Sequence, residues 1–263
     1  MGVSMATAER WVERWEHQQE HYATDREERF TVIADVVEQV TAGRPRPLLL
    51  DLGCGPGSLA ARLAARLPHA EIVAVDMDPV LLELGRVHRA DTARYVEAVI
   101  GDDGWTGALG LARPLDAAVS TTALHYLSEA DLLRTYRQLA ALLRPGGVLV
   151  NGDHFPPADP RCAALTAHVG RLRAERRRTC RHEDWTSWWA AAAQEPELAG
   201  LFSRRERHRP APGRDGTGEG PANGNGNGLT PGRHLELLRR AGFHRATPVW
   251  QFGDSHVLVA LRD

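Results

Sequence analysis

Residues 48–60, with the sequence LLLDLGCGPGSLA, decide the fold of this chain. An apolar run ends in Asp51, three glycines follow at alternate positions, and a helix-forming segment comes next. This pattern predicts a buried parallel strand, a tight turn and the start of a helix. Glycine permits positive φ and a close backbone approach to a ligand, while the free N–H groups of such a turn favour negative charge. The stretch therefore predicts a turn that binds a nucleotide-type ligand.

Two common nucleotide motifs fit this turn poorly. The dinucleotide fingerprint G-x-G-x-x-G finds Gly53 and Gly55 but meets Ser58 at its third position, and the Gly-Lys-Ser/Thr of a Walker loop is absent. The arrangement Asp-x-Gly-x-Gly-x-Gly instead resembles the first motif of the class I S-adenosylmethionine (SAM) methyltransferases. The resemblance implies SAM as cofactor, S-adenosylhomocysteine as product, and a cofactor site that includes Asp51, Gly53, Gly55 and Gly57.

A second predicted strand, residues 70–76, ends in another acid, Asp76. A carboxylate about twenty residues beyond the glycines accepts ribose hydroxyls in nucleotide-binding folds of this layout. We therefore assign Asp76, with its neighbour Met77, to the cofactor site. Asp78-Pro79 is itself a good helix start, so the acid pair also has a capping explanation. Both hold together if Asp78 caps and Asp76 binds.

The next two strands supply further cofactor candidates. Residues 94–100 predict a third strand, and the family resemblance implies that Asp102, or Asp103 beside it, accepts from the adenine amino group. A plain Gly-Asp-Asp-Gly turn explains these residues equally well. A fourth strand over residues 115–120 ends at Ser120, which we also assign to the cofactor site.

The rhythm of strands and helices predicts the architecture. Alternating elements indicate an α/β fold with a mostly parallel seven-stranded sheet and helices on both faces. The run LLRPGGVLV before a fifth strand, and a C-terminal antiparallel hairpin over residues 247–261, are similar to the same methyltransferases. We expect an N-terminal helical lid (1–43), a SAM-binding Rossmann-like core (44–155 and 233–263), a helical substrate cap (156–209) and a flexible loop (210–232).

Histidines near the strand ends are the candidate catalytic residues. Methyl transfer to a hydroxyl or amine benefits from a general base, and histidine suits neutral pH. His125 follows the fourth strand and His154 ends the fifth, where ligands bind in such sheets. Asp153 is predicted to orient an imidazole or contact substrate, and His182 to contact substrate. The alternative for His125 is that it caps or packs the next helix.

Aromatic and basic residues outside the core are predicted to complete the site. Trp185, Trp188 and Trp189 either wall a substrate pocket or fill the core at helical spacing, and we expect both roles among the three. Tyr22 and Arg29 are candidates for the carboxylate of the methionine moiety. Surface ion pairing with Glu27 or Glu28 is the alternative for Arg29.

Composition limits the partners and the compartment. The chain has 263 residues, 43% of them hydrophobic, and a net charge of −2, so nothing draws it strongly to nucleic acid or anionic membrane. No apolar run reaches the roughly 20 residues that span a bilayer, and no signal-peptide pattern is evident. Three cysteines lack metal-type spacing, so we expect no metal and a reduced, cytoplasmic protein.

The predicted function is methyl transfer to a small-molecule acceptor, with an oxygen acceptor preferred because the base candidates are histidines. The Asp/Asn-Pro-Pro-Tyr/Phe motif of nucleic-acid amino-methylating enzymes and the Pro-Cys of cytosine C5 enzymes are both absent. N- or C-methylation of a metabolite or peptide, a non-catalytic SAM-binding regulator and a nicotinamide dehydrogenase remain as alternatives. A homodimer is compatible with this assignment, and specialised metabolism is a suitable setting.

Overall fold

The computed structural model describes residues 2–177, 183–207 and 226–263. A seven-stranded sheet forms its centre, in the order β3-β2-β1-β4-β5-β7-β6, with β7 antiparallel to both of its neighbours and the other pairs parallel. The strands are β1 (Leu48–Leu52), β2 (Glu71–Asp76), β3 (Arg94–Glu97), β4 (Leu115–Thr121), β5 (Leu143–His154), β6 (Arg245–Phe252) and β7 (Ser255–Leu261). The predicted fold class is confirmed, including the C-terminal hairpin.

Helices cover both faces of the sheet. They are α1 (Met5–Tyr22), α2 (Arg26–Thr41), α3 (Ser58–Arg66), α4 (Pro79–His88), α5 (Trp105–Ala108), α6 (Glu129–Leu142), α7 (Pro160–Arg177), α8 (Trp185–Ala192), α9 (Ala199–Arg207) and α10 (Pro231–Arg240), with 3-10 turns at Leu124–Tyr126 and Pro196–Leu198. Side-chain oxygens accept hydrogen bonds from free N–H groups at several helix starts, among them those of α4, capped by Asp78, and α6, capped by Ser128. Among the described helices, none combines the length and apolar character needed to cross a membrane.

Two apolar layers flank the sheet because successive strand residues point to opposite faces. Leu49 packs with Phe30 and Ile33 of α2 on one face. Leu50 packs with Leu139 of α6 and Leu237 of α10 on the other face. Strand β1 is buried along its whole length, as its apolar run predicts for a central parallel strand. This layering sets the carboxyl ends of β1, β2, β4 and β5 along one edge.

A third apolar cluster ties the N-terminal helix to the segment after β5. Trp11 and Trp15 of α1 pack with Val80 and Leu84 of α4 and with Trp188 of α8. These contacts fix α1 and α8 beside the helix that follows β2. The predicted lid and cap therefore share one apolar core.

Two strand boundaries differ from the sequence prediction. Strand β3 ends at Glu97 rather than at residue 100. Strand β5 begins at Leu143 and passes through Pro-Gly-Gly, because its pairing with β4 shifts register between Leu115 and Ala117 and accommodates the extra residues as an irregularity. Most of the predicted flexible loop, and the whole of residues 178–182 with His182, lie outside the described residues.

Candidate active site

The glycine turn has the backbone that its sequence predicts. Gly53, Gly55 and Gly57 have φ of +67°, +54° and +81°, values that strain residues with a Cβ. Space is equally limiting, because a Cβ on Gly53 would lie 2.2 Å from the Cβ of Ala123 and one on Gly57 would lie 2.2 Å from the hydroxyl of Tyr95. The turn therefore has no room for a side chain at Gly53 or at Gly57.

Two acids lie at the ends of the strands beside this turn. The buried Asp51 accepts a hydrogen bond at Oδ2 from the Ala60 N–H (3.1 Å), but its buried Oδ1 lacks a partner among the described residues. Asp76 accepts from the N–H groups of Gly55 (2.8 Å) and Asp78 (3.0 Å). Burial raises the pKa of Asp51 to about 7 and that of Asp76 to about 6. An unsatisfied buried carboxylate oxygen beside the glycine turn fits a ligand that brings hydrogen-bond donors.

The remaining predicted cofactor residues differ in position. Asp102 and Asp103 lie in an exposed turn well past the end of β3, and Glu97 is the acid level with Asp76 in the sheet register. Ser120 is buried and donates its hydroxyl to the carbonyl of Leu52 (3.0 Å), so this side chain ties β4 to β1. Met77, next to Asp76, is half-buried.

His125 and Asp153 form a hydrogen-bonded pair. His125, in the 3-10 turn after β4, contacts both carboxylate oxygens of the buried Asp153 through Nδ1, each at 2.9 Å. Burial alone would raise the pKa of Asp153, but the charge and hydrogen bonds of His125, helped by Arg29, lower it to about 2. Burial disfavours the imidazolium of His125, yet Asp153 outweighs burial and raises the His125 pKa above its ordinary value. Nε2 of His125 has no hydrogen-bond partner in the described part of the chain.

His154 is bound through both ring nitrogens. Arg29 Nη2 donates to Nε2 (3.1 Å), since a guanidinium has no lone pair to offer, and Nδ1 then donates to Asp254 (3.3 Å). This tautomer is assigned from the network. His154 therefore lacks a free nitrogen for proton transfer in this arrangement, whereas His125 has one.

Arg29 does not pair with surface acids, so that alternative is wrong. Its side chain is fully buried and donates to the hydroxyl of Ser255 (2.6 Å) as well as to His154. A Cβ on Gly152 would lie 2.7 Å from Cδ of Arg29, so the arginine passes directly over strand β5. Tyr22, the second predicted carboxylate binder, accepts from the backbone N–H of Trp185 (2.8 Å).

The tryptophans divide between core and half-buried positions. Trp188 is fully buried between Trp11 and Trp15, with ring centroids 5.4 and 5.2 Å away, whereas Trp185 and Trp189 are half-buried. Sequence reasoning missed the position of Trp15, whose ring would lie 3.4 Å from a Cβ on Gly55. The i, i+4 spacing of Trp11 and Trp15 indicates that the two rings share one face of a helix, but it does not predict which surface that face covers.

Residues 49–147 match the family model described as a methyltransferase domain. This segment is therefore a methyltransferase domain of the class I SAM-dependent type. Of the curated relatives, the trans-aconitate 2-methyltransferase of Methylobacterium radiotolerans is 31% identical over 183 residues, which cover 70% of this chain and 61% of that protein. An uncharacterized methyltransferase of Mycobacterium bovis is 39% identical over 102 residues, 38% of this chain and 47% of that protein. The chain thus spans less than two thirds of the length of these relatives.

Solved structures agree with this family assignment at the level of the fold. Magnesium protoporphyrin IX methyltransferase from Synechocystis, solved with S-adenosylhomocysteine, has a TM-score of 0.56 at 14% identity and covers 96% of this chain and 94% of its own. An O-methyltransferase family protein from Burkholderia thailandensis has a TM-score of 0.54 at 18% identity, with 94% and 63% coverage.

One strained residue stands beside the glycine turn of this methyltransferase core. Thr122 is the non-glycine residue with positive φ (+50°) among the described residues. Its N–H donates to the Gly152 carbonyl (3.0 Å), and the next residue, Ala123, packs against Gly53. Strain of this kind collects at functional sites. In the described part of the chain, no cluster of three His, Cys, Asp or Glu side chains suits a metal ion.

Proposed function

We propose that this protein transfers a methyl group from SAM to an oxygen of a small-molecule acceptor, with His125 as general base. The observation that carries the proposal is the His125–Asp153 pair, which leaves Nε2 of His125 unpartnered close to the carboxyl end of β4. The glycine turn and its two acids lie at the carboxyl ends of the neighbouring strands β1 and β2. Donor site and base therefore lie along one edge of the sheet.

The residues around the glycine turn suit SAM. Asp76 would accept the ribose hydroxyls, and Asp51 Oδ1 would accept from the ammonium of the methionine part, which gives that oxygen a partner. The turn's backbone would contact the methionyl group closely because it carries no Cβ. When bound, SAM supplies an activated methyl group.

The chain's own chemistry is proton removal. His125 Nε2 would take the proton of an acceptor hydroxyl as the oxygen gains its methyl group. Asp153 stays ionised, fixes the Nδ1–H tautomer and stabilises the imidazolium that forms. Positioning and water exclusion supply the rest of the rate enhancement.

The test compares His125→Gln with His154→Gln across a panel of hydroxylated metabolites, with S-adenosylhomocysteine as readout. We expect His125→Gln to lower turnover by about 10²-fold or more while the SAM dissociation constant stays unchanged. His154→Gln serves as the matched control and should retain most activity, because both of its nitrogens are already bound. Equal activity of the two variants would refute the assignment of the base.

A second acceptor class follows from the relative named trans-aconitate 2-methyltransferase. A carboxylate acceptor needs no base, and a protonated His125 would pair with it instead. The pH profile separates the two candidates. Turnover rises with pH through the pKa of His125 if the residue is a base, and falls through it if the imidazolium binds an anionic acceptor.

A further inference from the structure

A half-buried acid in α1 contacts three arginines from three other parts of the fold. Glu16 contacts Arg26 of α2, Arg62 of α3 (3.2 Å) and Arg89 just after α4 (2.7 Å). The side chains of Glu16, Arg26 and Arg89 are only 17%, 9% and 11% exposed. We call these four residues the Glu16 cluster. They have no contact with the His125–Asp153 pair, so the proposed chemistry leaves them unexplained.

The Glu16 cluster reaches the glycine turn at two points. Arg89 uses Nη2 for Glu16 and Nη1 for the carbonyl of Pro56 (3.2 Å), in the middle of the turn. Arg62 Nη1 donates to the carbonyl of Ser58 (3.2 Å), where the turn enters α3. The bond from Arg89 fixes the orientation of the Pro56 carbonyl, and therefore that of the peptide plane between Pro56 and Gly57.

The residue next to Glu16 makes a third contact. Trp15 lies against the turn, with Cζ2 3.4 Å from the position of a Cβ on Gly55. Helix α1 therefore contacts residues 55–58 both through a ring and through the arginines that its acid holds.

Charge balance explains why a single acid matters here. Burial would raise the pKa of Glu16, but Arg26, Arg62 and Arg89 together lower it far below its usual range, so the carboxylate stays ionised. Arg62 has a second acid, the exposed Glu27 (2.6 Å), but Glu16 is the acid that both Arg26 and Arg89 contact. Without its charge, these two guanidinium groups would repel each other in a partly buried site. Arg89 would then lose the carboxylate that orients its guanidinium group, and with it the Nη1 that bonds the carbonyl of Pro56.

We propose that Glu16 is a positioning residue for cofactor binding, which holds the glycine turn in its binding conformation through Arg89 and Arg62. This inference rests on the proposed binding of SAM at that turn. It makes α1 part of the cofactor site although α1 lies outside the region that matches the methyltransferase family model.

The experiment measures SAM binding by calorimetry, together with KM for SAM, KM for the acceptor and kcat, in the full chain. Glu16→Gln removes the charge at nearly constant volume, and we expect the SAM dissociation constant to rise about tenfold with kcat at saturating SAM within about twofold. Arg89→Lys keeps the charge but cannot bond Glu16 and Pro56 through two separate nitrogens. We expect it to weaken SAM binding about threefold.

Glu38→Gln is the matched control. Glu38 also joins two helices through an arginine, Arg66 (2.5 Å), but the pair is exposed and does not contact the turn. The control should leave SAM affinity unchanged. Arg89→Lys decides the matter if Glu16→Gln does not fold.

The outcomes separate the inference from the proposed function. A wild-type protein that does not bind SAM overturns both. Wild-type binding with unchanged affinity in Arg89→Lys and in folded Glu16→Gln overturns the role of Glu16 alone. An equal loss of affinity for SAM and acceptor also overturns it, because that result indicates general destabilisation rather than positioning of the turn.

Discussion

At the scale of single residues, Thr122 has a conformation that its own chemistry disfavours. A β-branched residue at φ +50° is strained by roughly 1 kcal/mol or more. The strain has a local cause: the N–H of Thr122 extends the β4–β5 pairing to Gly152, while Ala123 must meet Gly53. His125 follows three residues later, so this bend helps to set where the imidazole lies.

We expect Thr122→Gly to stabilise the fold by about 1 kcal/mol and to lower turnover, because glycine relieves the strain and loosens the segment that carries His125. Thermal unfolding and turnover of the same preparation check both parts. Thr31→Gly in helix α2 is the control, and it should lose stability through poorer helix propensity. A Thr122→Gly protein no more stable than wild type would mean that the strain is negligible.

The His125–Asp153 pair predicts a pH dependence of turnover. If His125 is the base, turnover should rise through a pKa above 6.5, and Asp153→Asn should move that inflection to lower pH and reduce the plateau about 10²-fold. The folded pKa of His125 exceeds its unfolded value. The corresponding stability is therefore present below pH 6.5 and is lost as the pH rises through the folded pKa.

Asp254→Asn provides the comparison for this experiment. It removes the carboxylate that contacts His154 but leaves the partner of His125 in place. Its inflection should match that of wild type, and a shift as large as that of Asp153→Asn would argue against a specific pair.

Strand geometry explains which residue pairs the sequence could and could not predict. Asp153 and His154 are adjacent, so their side chains point to opposite faces of β5. Asp153 therefore contacts the imidazole of His125, in the turn after β4, rather than that of His154. Apolar runs in the sequence predicted which residues lie at strand ends. The pairing of Asp153 with His125 could not be predicted in this way, because it depends on the register between β4 and β5. Arg29 shows the same limit, because charge and local sequence indicate exposure and only tertiary packing buries it.

At the scale of elements, α2 packs closely on β5 because residue 152 is a glycine and has no side chain. Gly152 lets Arg29 pass over the strand toward Ser255 and His154. A methyl group there would lie 2.7 Å from Cδ of Arg29 and 3.1 Å from Ile33, so both elements would have to separate.

We expect Gly152→Ala to destabilise the protein by about 1–3 kcal/mol, measured by denaturant unfolding, since overpacking forces buried groups apart. The same substitution at Gly170, in the middle of α7 with open space around it, should stabilise by about 0.5–1 kcal/mol. If both substitutions changed the free energy of unfolding in the same direction, the packing argument would be contradicted.

Periodicity predicted which elements exist better than it predicted where they pack. The stripe Trp185, Trp188 and Trp189 correctly indicated a helix, yet its partners Trp11 and Trp15 lie more than 160 residues earlier in the chain. No local pattern encodes such a contact. Helices α8 and α9 lie beside α4, β2 and β3, a position that their own sequence does not indicate.

At the scale of the whole molecule, different helices cover the two sides of the edge where the strands end. Helices α1, α8 and α9 meet the region of β2 and α4. Helices α2 and α7 meet the region of β5 and the β6–β7 hairpin, where Arg173 pairs with Asp25 (2.6 Å) and lies 3.9 Å from the ring of Phe252. This division suggests that donor exchange and acceptor exchange depend on different helices.

Helix α9 lies beside the carboxyl ends of β2 and β3, next to the proposed donor site. Arg204 pairs with Glu97 at the end of β3, and Arg205 pairs with Asp78 (2.5 Å), which follows β2. Arg205 also lies 4.1 Å from the ring of Trp189, so the fluorescence of that tryptophan should report on the position of the helix. Both ion pairs are partly exposed, and pairs of this kind contribute up to about 1 kcal/mol each.

We therefore expect the double variant Arg204→Gln/Arg205→Gln to release and to bind SAM about tenfold faster, with a smaller change in the dissociation constant, because α9 opens more readily for both processes. Stopped-flow tryptophan fluorescence measures both rates. Arg233→Gln is the control, since Arg233 forms a comparable pair with Glu129 (2.5 Å) between α10 and α6 and should leave the rates unchanged. If the double variant exchanges SAM at the wild-type rate, these ion pairs do not limit access, and donor exchange must be controlled by another part of the molecule.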